Sequence, residues 1–197
     1  KTTPVAGDVK YVDRNGDGVV DDNDRDIIGN PNPDFTYGFQ TKVSWKSLSL
    51  SASFNGVQGR DILNVGNRYN NTPGTKSNNV TRKAFQNMWT DENPSNLYPK
   101  STFVVQNMVM DRYVEDGSYL RCSDITLSYV LPAKWTNKIG IKNTSVYASV
   151  KNAFVITDYS GYDPEVNSFA FDGLRPGVDM NSYPTPRSFV FGLNLTF

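Results

Sequence analysis

Five segments of the chain alternate apolar and polar residues with a period of two, the pattern of β-strands whose two faces meet different surroundings. The segments are residues 35–45, 48–55, about 118–131, about 143–155 and 189–197. In the last segment every second residue from Phe189 onward is Phe or Leu, and the residues between them are smaller or polar. The pattern predicts an all-β fold of antiparallel strands.

The connections between these segments alternate between short and long. Residues 46–47 and about 132–141 form the short connections, whereas about 59–117 and 157–184 form the long ones. Long loops without regular structure are uncommon in compact domains, but membrane β-barrels have short periplasmic turns and long extracellular loops. The sorting predicts barrel strands in 35–197, with both long loops and residues 1–34 on the extracellular side. Because the smallest closed barrels need about eight strands, about five strands form only a portion of one.

Composition excludes several other classes of protein. Apolar runs long enough for a membrane-spanning helix are absent from the sequence, and 20 basic residues balance 20 acidic ones, so we expect no nucleic-acid partner. The sequence contains no His, which rules out His-based triads and His metal sites. In the first long loop, residues 80–89 have the spacing of a short helix.

An acidic motif near the start has the spacing of a calcium-binding loop. Its oxygen donors at loop positions 1, 3, 5, 9 and 12 are Asp13, Asn15, Asp17, Asp21 and Asp24, and Val19 at position 7 offers its backbone carbonyl. Gly18 stands where such a loop turns sharply. The motif predicts a structural Ca²⁺ site.

Two other interpretations of this motif are considered. It can be an acidic surface turn without an ion, or a dockerin-type calcium loop. The dockerin reading requires a following helix, but Pro31 and Pro33 stand shortly after the motif and disfavour one.

Several motifs together resemble SusC/RagA-type TonB-dependent outer-membrane transporters. They are Gly7-Asp8-Val9-Lys10-Tyr11, the acidic motif, Ile28-Gly29-Asn30-Pro31-Asn32-Pro33-Asp34-Phe35, Phe54-Asn55-Gly56-Val57-Gln58-Gly59, Trp89-Thr90-Asp91-Glu92-Asn93-Pro94, Val114-Glu115-Asp116-Gly117-Ser118-Tyr119-Leu120-Arg121, Tyr159-Ser160-Gly161-Tyr162-Asp163-Pro164-Glu165, and the stretch from Tyr183 to Phe197. The resemblance covers essentially the whole chain and implies the C-terminal portion of a 22-stranded barrel.

The resemblance also implies function and partners. Such a barrel lies in the bacterial outer membrane and imports glycans or, as second choice, peptides. It works with a SusD-like lipoprotein and with TonB, which acts through an N-terminal region expected upstream of this chain. The resemblance further implies that Phe197 belongs to the signal for barrel assembly, and we expect the calcium loop to hold an extracellular loop in place.

Catalysis is not expected. The pairs Glu115-Asp116 and Asp163/Glu165 are interpreted as carboxylates that cap turns and bond backbone amides. Aromatic residues in or beside the last long loop offer surfaces that either contact cargo or pack the loop, and these are Tyr159, Tyr162, Phe169, Phe171 and Tyr183. The alternative function is a soluble secreted β-domain with structural calcium that acts as a glycan-binding module.

Overall fold

A computed structural model describes residues 5–72, 79–101, 109–136, 141 and 143–196. Phe197, which the resemblance connects with barrel assembly, lies outside the described residues. The chain divides into two compact units. We call residues 31–61, 116–166 and 182–197 the strand unit, and residues 1–30, 62–115 and 167–181 the loop unit.

The strands in the described part of the chain are β1 (Phe35–Trp45), β2 (Leu48–Gln58), β3 (Asp61–Asn64), β4 (Val114–Asp116), β5 (Tyr119–Val130), β6 (Asn143–Thr157), β7 (Val178–Asp179) and β8 (Ser188–Thr196). The helices are α1 (Val65–Asn71), α2 (Arg82–Asn87) and α3 (Ala133–Thr136). None of these helices is long and apolar enough to cross a membrane.

The strand unit is a five-stranded antiparallel sheet with the order β1-β2-β5-β6-β8. These are the five strands that the alternating pattern predicts, and their observed ends differ from the predicted ones by at most a few residues. The predicted fold class, antiparallel strands that form a portion of a β-barrel, is confirmed.

One face of this sheet is apolar and exposed. A row of paired residues on this face crosses all five strands and consists of Val43, Leu50, Leu127, Ala148 and Phe191. Val43 is 63% exposed and Phe191 is 78% exposed. A sheet in a soluble domain would bury such a face, so this face is suited to an apolar environment outside the sheet.

The opposite face is polar and carries many hydroxyl groups. The adjacent row consists of Lys42, Ser51, Thr126, Ser149 and Val190. Hydroxyl groups on neighbouring strands bond each other across this face, as between Ser44 and Ser49 at 2.8 Å and between Thr126 and Ser149 at 2.9 Å. We call this the polar face.

The alternation is interrupted in β5 by a β-bulge. Asp124 pairs with Ser53, and Cys122 pairs with Phe54, so Ser123 is an extra residue without a partner in the ladder. The Ser123 hydroxyl donates to the Ser53 carbonyl at 3.1 Å. A bulge moves all following side chains to the other face. Residues 121 and 124 therefore share the polar face, although strict alternation would separate them.

The loop unit contains most of the remaining short elements, whereas α3 lies in the strand unit. Strands β4, β3 and β7 form a small sheet in that order, in which β3 and β7 run parallel. Helix α2 lies within the predicted helical segment 80–89 and begins at a Thr81 cap, whose hydroxyl accepts from the Ala84 amide at 3.2 Å. Ile62 and Ala84 are fully buried.

Candidate functional site

The acidic motif folds into a tight loop that is organised by its own carboxylates. Asp13, the first residue of the motif, accepts the backbone amides of Gly16 at 2.7 Å and of Gly18 at 2.8 Å. Both glycines have positive φ angles, 74° and 81°, which favour Gly over other residues. The sequence pattern predicts this sharp turn correctly.

Asp24, the last residue of the motif, closes the loop. One of its carboxylate oxygens accepts from the Arg14 amide at 2.8 Å and the Asn15 amide at 3.4 Å, and the other accepts from the Asp21 amide at 2.8 Å. These bonds, with the Asp21 amide first and the Arg14 amide next, lower the pKa of Asp24. The carboxylate therefore stays ionised.

The middle of the motif is bonded in the same way. The Asn15 side-chain oxygen accepts from the Asp17 amide at 2.9 Å, and Asp17 accepts from the Val19 amide at 2.8 Å. Asp21 accepts from the Asn23 amide at 2.8 Å. The structure thus brings the predicted donors into one loop.

The side chains of the motif offer carboxylate and amide oxygens, which are the ligands that Ca²⁺ prefers. In the part of the chain that the structure describes, no group of three or more acidic, His or Cys side chains converges closely enough to hold a metal. The oxygens of the motif instead accept backbone amides. A carboxylate oxygen has two lone pairs, so it can accept an amide and still bind an ion. The residue types fit Ca²⁺, and the metal site stays a prediction.

A second cluster lies on the polar face and surrounds Arg121 of β5. The Arg121 Nη2 atom lies 2.6 Å from the Asp163 Oδ1 atom, and the two side chains are only 6% and 9% exposed. The Nε atom of Arg121 lies 3.3 Å from Glu165 Oε1. An Arg buried this deeply requires compensating carboxylates, and here two of them lie within reach.

Glu165 is bonded to two strands of the sheet. Its Oε1 atom accepts from the Tyr119 hydroxyl at 2.8 Å and from the Asn55 side-chain amide at 3.0 Å. Tyr119 belongs to β5 and Asn55 belongs to β2. The carboxylate therefore ties the last long connection to two adjacent strands.

Asp163 joins both ends of that connection. Its Oδ1 atom accepts from the Glu165 amide at 2.9 Å, and its Oδ2 atom accepts from the Thr185 amide at 3.1 Å. Burial alone would raise the pKa of Asp163, but the amides of Glu165 and Thr185 and the charge of Arg121 together lower it. Asp163 is therefore an anion held between the two ends of the loop.

A second arginine completes this cluster. Arg60, which follows β2, donates from Nη2 to the Pro164 carbonyl at 2.6 Å and to the Val166 carbonyl at 3.4 Å. Pro164 is fully buried and Val166 is 8% exposed. Two arginines thus contact the segment 163–166, and their formal charges cancel those of its two carboxylates.

Sequence reasoning identified only part of this cluster. The predicted bonds from backbone amides to Asp163 are confirmed, but its ion pair with Arg121 was missed. The partners are 42 residues apart in the sequence. Because of the bulge at Ser123, strict alternation assigns Arg121 to the wrong face of the sheet. The one available signal for this ion pair was Arg121 itself, a charged residue in a segment that otherwise alternates apolar and polar residues.

The other acidic pair considered at first is also engaged in structural bonds. Glu115 Oε1 accepts from the side-chain amides of Asn64 at 3.0 Å and Asn67 at 2.9 Å. Asp116 accepts from the Ser118 amide at 2.8 Å, as a turn cap does. These contacts fit a structural role for both carboxylates.

The aromatic residues of the last long connection differ in exposure. Tyr159 is buried, at 5% exposed, whereas Tyr162 is 73%, Tyr183 is 91% and Phe171 is fully exposed. Tyr159 therefore packs the loop. The exposed rings are available for contact with other molecules.

Comparison with known proteins gives relatives over nearly the whole chain, although no protein-family model matches it. TonB-dependent receptor P26 of Formosa agariphila is 35% identical over 201 residues, which cover 98% of this chain and 20% of the receptor. TonB-dependent receptor SusC of Bacteroides thetaiotaomicron is 34% identical over 194 residues, which cover 95% of this chain and 17% of the receptor. The chain thus spans a fifth or less of the length of these relatives.

Solved structures give the same result for the fold. The RagAB peptide importer in the open-open state matches with a TM-score of 0.72 and 30% identity over 87% of this chain and 18% of the matched chain. A structure of the RagAB peptide transporter matches with a TM-score of 0.74 and 29% identity. The chain is similar to one segment of these proteins in both sequence and fold.

Proposed function

We propose that this chain, which is similar in sequence and fold to a segment of the SusC/RagA-type TonB-dependent receptors, forms part of an outer-membrane barrel that imports a nutrient. The exposed apolar face of the five-stranded sheet carries this proposal, with its row from Val43 to Phe191. Lipid would cover this face, and the polar face would line the interior of the barrel.

The lengths of the connections support an orientation in the membrane. Residues 46–47 and 131–142 join strands at one end of the sheet, and the long connections 59–118 and 158–187 leave from the other end. We assign the short connections to the periplasm and the long ones to the cell surface, following the general architecture of outer-membrane barrels.

For the cargo we propose an oligosaccharide or, as second choice, a peptide. The polar face offers hydroxyl and amide groups, and its pair Asp124–Lys151, at 2.6 Å, is internally neutral. Such a wall suits a polar solute without strong net charge. The RagAB neighbours are described as a peptide importer, which supports the second choice for this chain.

We propose two partners from the same family relationship. A SusD-like surface lipoprotein would bind at the extracellular mouth and capture the cargo. TonB would supply energy through the part of the receptor that lies outside this chain. This segment of the receptor would carry out no covalent chemistry, because Asp163 and Glu165 are engaged with Arg121. Glu115 is engaged with asparagine side chains, and Asp116 is engaged with the Ser118 amide.

Structural calcium completes the proposal. Asp13, Asn15, Asp17, Asp21 and Asp24 would supply side-chain oxygens, and Val19 would supply its carbonyl. The existing bonds already bring the two ends of the motif together at Asp24. The ion would add cross-links between the same carboxylates and so stiffen an extracellular loop.

The test is growth of the source bacterium after deletion of the gene that encodes the receptor. Cells are supplied with individual oligosaccharides or with peptides as the sole carbon source. We expect loss of growth on one of these classes, restoration by the wild-type gene, and no restoration when TonB is absent. Unchanged growth and uptake on all nutrients of both classes would contradict the proposal.

A further inference from the structure

Residues 159–166, which we call the ledge, lie against the polar face of the sheet and not beyond its end. Asn55 of β2 and Arg121 of β5 are paired residues on this face, and both contact carboxylates of the ledge. Tyr159, Asp163, Pro164 and Val166 of the ledge are all less than a tenth exposed. The ledge thus covers this part of the polar face.

Three features make this attachment stronger than an ordinary loop contact. The ion pair between Arg121 and Asp163 is buried, so water does not screen it. Glu165 accepts hydrogen bonds from two strands, and Arg60 donates to two carbonyls of the ledge. These contacts start from β2, from β5 and from Arg60 just after β2, so a movement of the ledge would break several of them together.

The same contacts hold the returning end of the connection. The Thr185 amide donates to Asp163, and the side chain of Asn152 in β6 donates to the Pro186 carbonyl at 3.0 Å. Arg187 donates back to the Asn152 carbonyl at 3.4 Å. Both ends of the last long connection are therefore fixed to the strand unit.

We propose that Arg121 is a positioning residue that holds the ledge as an immobile part of the barrel wall at the extracellular end. This inference rests on the proposed orientation of the polar face toward the barrel interior. The ledge narrows the interior by a constant amount and does not open and close as a gate. Since the charges of Arg60, Arg121, Asp163 and Glu165 cancel, the ledge restricts cargo by shape and not by charge.

The bulge at Ser123 places Arg121 on the polar face, where it can contact the ledge. If Ser123 occupied a regular position in the ladder, Arg121 would lie on the same face as Ile125 and Leu127. The guanidinium would then meet the apolar surroundings. With the bulge, Arg121 and Asp124 both reach the polar face, where each has partners of opposite charge.

The test measures motion of the ledge in the full receptor, purified in detergent. Tyr162, which is 73% exposed, is replaced by Cys and carries a nitroxide spin label. The receptor without this substitution, in which Cys122 of the present segment is buried, gives the background. We expect a slow, immobilised spectrum that cargo does not change. R121Q should make the label severalfold more mobile, whereas R175Q, which breaks an exposed ion pair, should not.

Three results would overturn the inference. They are a mobile label in the otherwise unsubstituted receptor, an unchanged label in R121Q, and a label that cargo releases. If R121Q fails to fold, E165Q provides a second variant, because it removes a charge and keeps an oxygen that can accept from Tyr119 and Asn55. It should increase label mobility to a smaller extent, and an unchanged label would again contradict the proposal. The mobility of the label is measured without transport. A failure of the import proposal would instead appear as absent uptake, so the two failures can be distinguished.

Discussion

Arg121 and Asp163 form a buried ion pair at 2.6 Å although 42 residues separate them in the chain. The pair connects β5 with the last long connection. Desolvation makes such a pair costly to form, and the loss of one partner leaves a buried charge without compensation. The pair is therefore better understood as a device that fixes one arrangement than as a source of stability.

Replacing Arg121 alone should be strongly destabilising. We expect R121M to lower the free energy of unfolding by about 3–5 kcal/mol, because two carboxylates lose their partner. The triple variant R121M/D163N/E165Q should recover part of this loss. Urea unfolding of the purified receptor measures the change. R175Q is the control, since an exposed pair contributes about 0–1 kcal/mol, and equal losses in R121M and R175Q would contradict the prediction.

Deletion of Ser123 should be tolerated better than deletion of Thr126. Without Ser123, Arg121 and Asp124 are two residues apart in a regular strand, so both stay on the polar face. Removal of Thr126 from the regular part of the ladder instead moves the side chains on one side of the deletion to the opposite face. We expect the Ser123 deletion to reach the outer membrane and the Thr126 deletion to be largely lost, as measured by the heat-modifiable folded fraction. Similar losses in both variants would contradict the assignment of Ser123 as the extra residue of the bulge.

The contribution of Asp163 should depend on pH only in acid. Its folded pKa lies below the ordinary value of 3.8, despite burial, because of the amides of Glu165 and Thr185 and the Arg121 charge. A lowered pKa stabilises the folded state above the unfolded pKa, and this stabilisation is lost as pH falls through the folded pKa. The difference in urea midpoint between wild type and D163N should stay constant from about pH 7 to 5 and shrink below about pH 4. A difference that vanishes near pH 6 would contradict this assignment.

Calcium should protect the acidic loop from proteolysis. We expect D13N/D17N to weaken ion binding and increase cleavage in the first 30 residues, and chelation should do the same to the wild-type protein. D22N is the matched control, because Asp22 lies inside the loop but at a position that supplies no ligand, and it pairs with Arg25. Cleavage that changes neither with chelator nor in D13N/D17N would contradict the calcium proposal.

The sequence predicts the five long strands because one face of the sheet carries mostly apolar side chains and the other mostly polar ones. Period-two alternation records this difference directly. The short strands β3, β4 and β7 cannot be predicted in this way, because a segment of two to four residues is too short to show a period. Helix α1 is not predicted from the sequence, because Gly66 and its three asparagines are poor helix formers. Its Asn64 cap is recognised only in the structure.

The ledge illustrates what local patterns cannot supply. Asp163 and Glu165 are visible as a carboxylate pair, but their partners Arg121 and Tyr119 lie on a strand far away in the sequence. The bulge also reverses the face that alternation assigns to Arg121. The acidic loop is the opposite case, because all of its contacts are local and its spacing alone predicts its turn.

The most direct test of the central claim is the orientation of the strands in the outer membrane. F171C places a thiol at a fully exposed position in a long connection, and K134C places one at an exposed position in a short connection. A membrane-impermeant maleimide is added to intact cells and to cells with a permeabilised outer membrane. We predict that F171C reacts in both and that K134C reacts only after permeabilisation. Equal reaction of the two thiols in intact cells, or recovery of the receptor in a soluble fraction, would contradict the account.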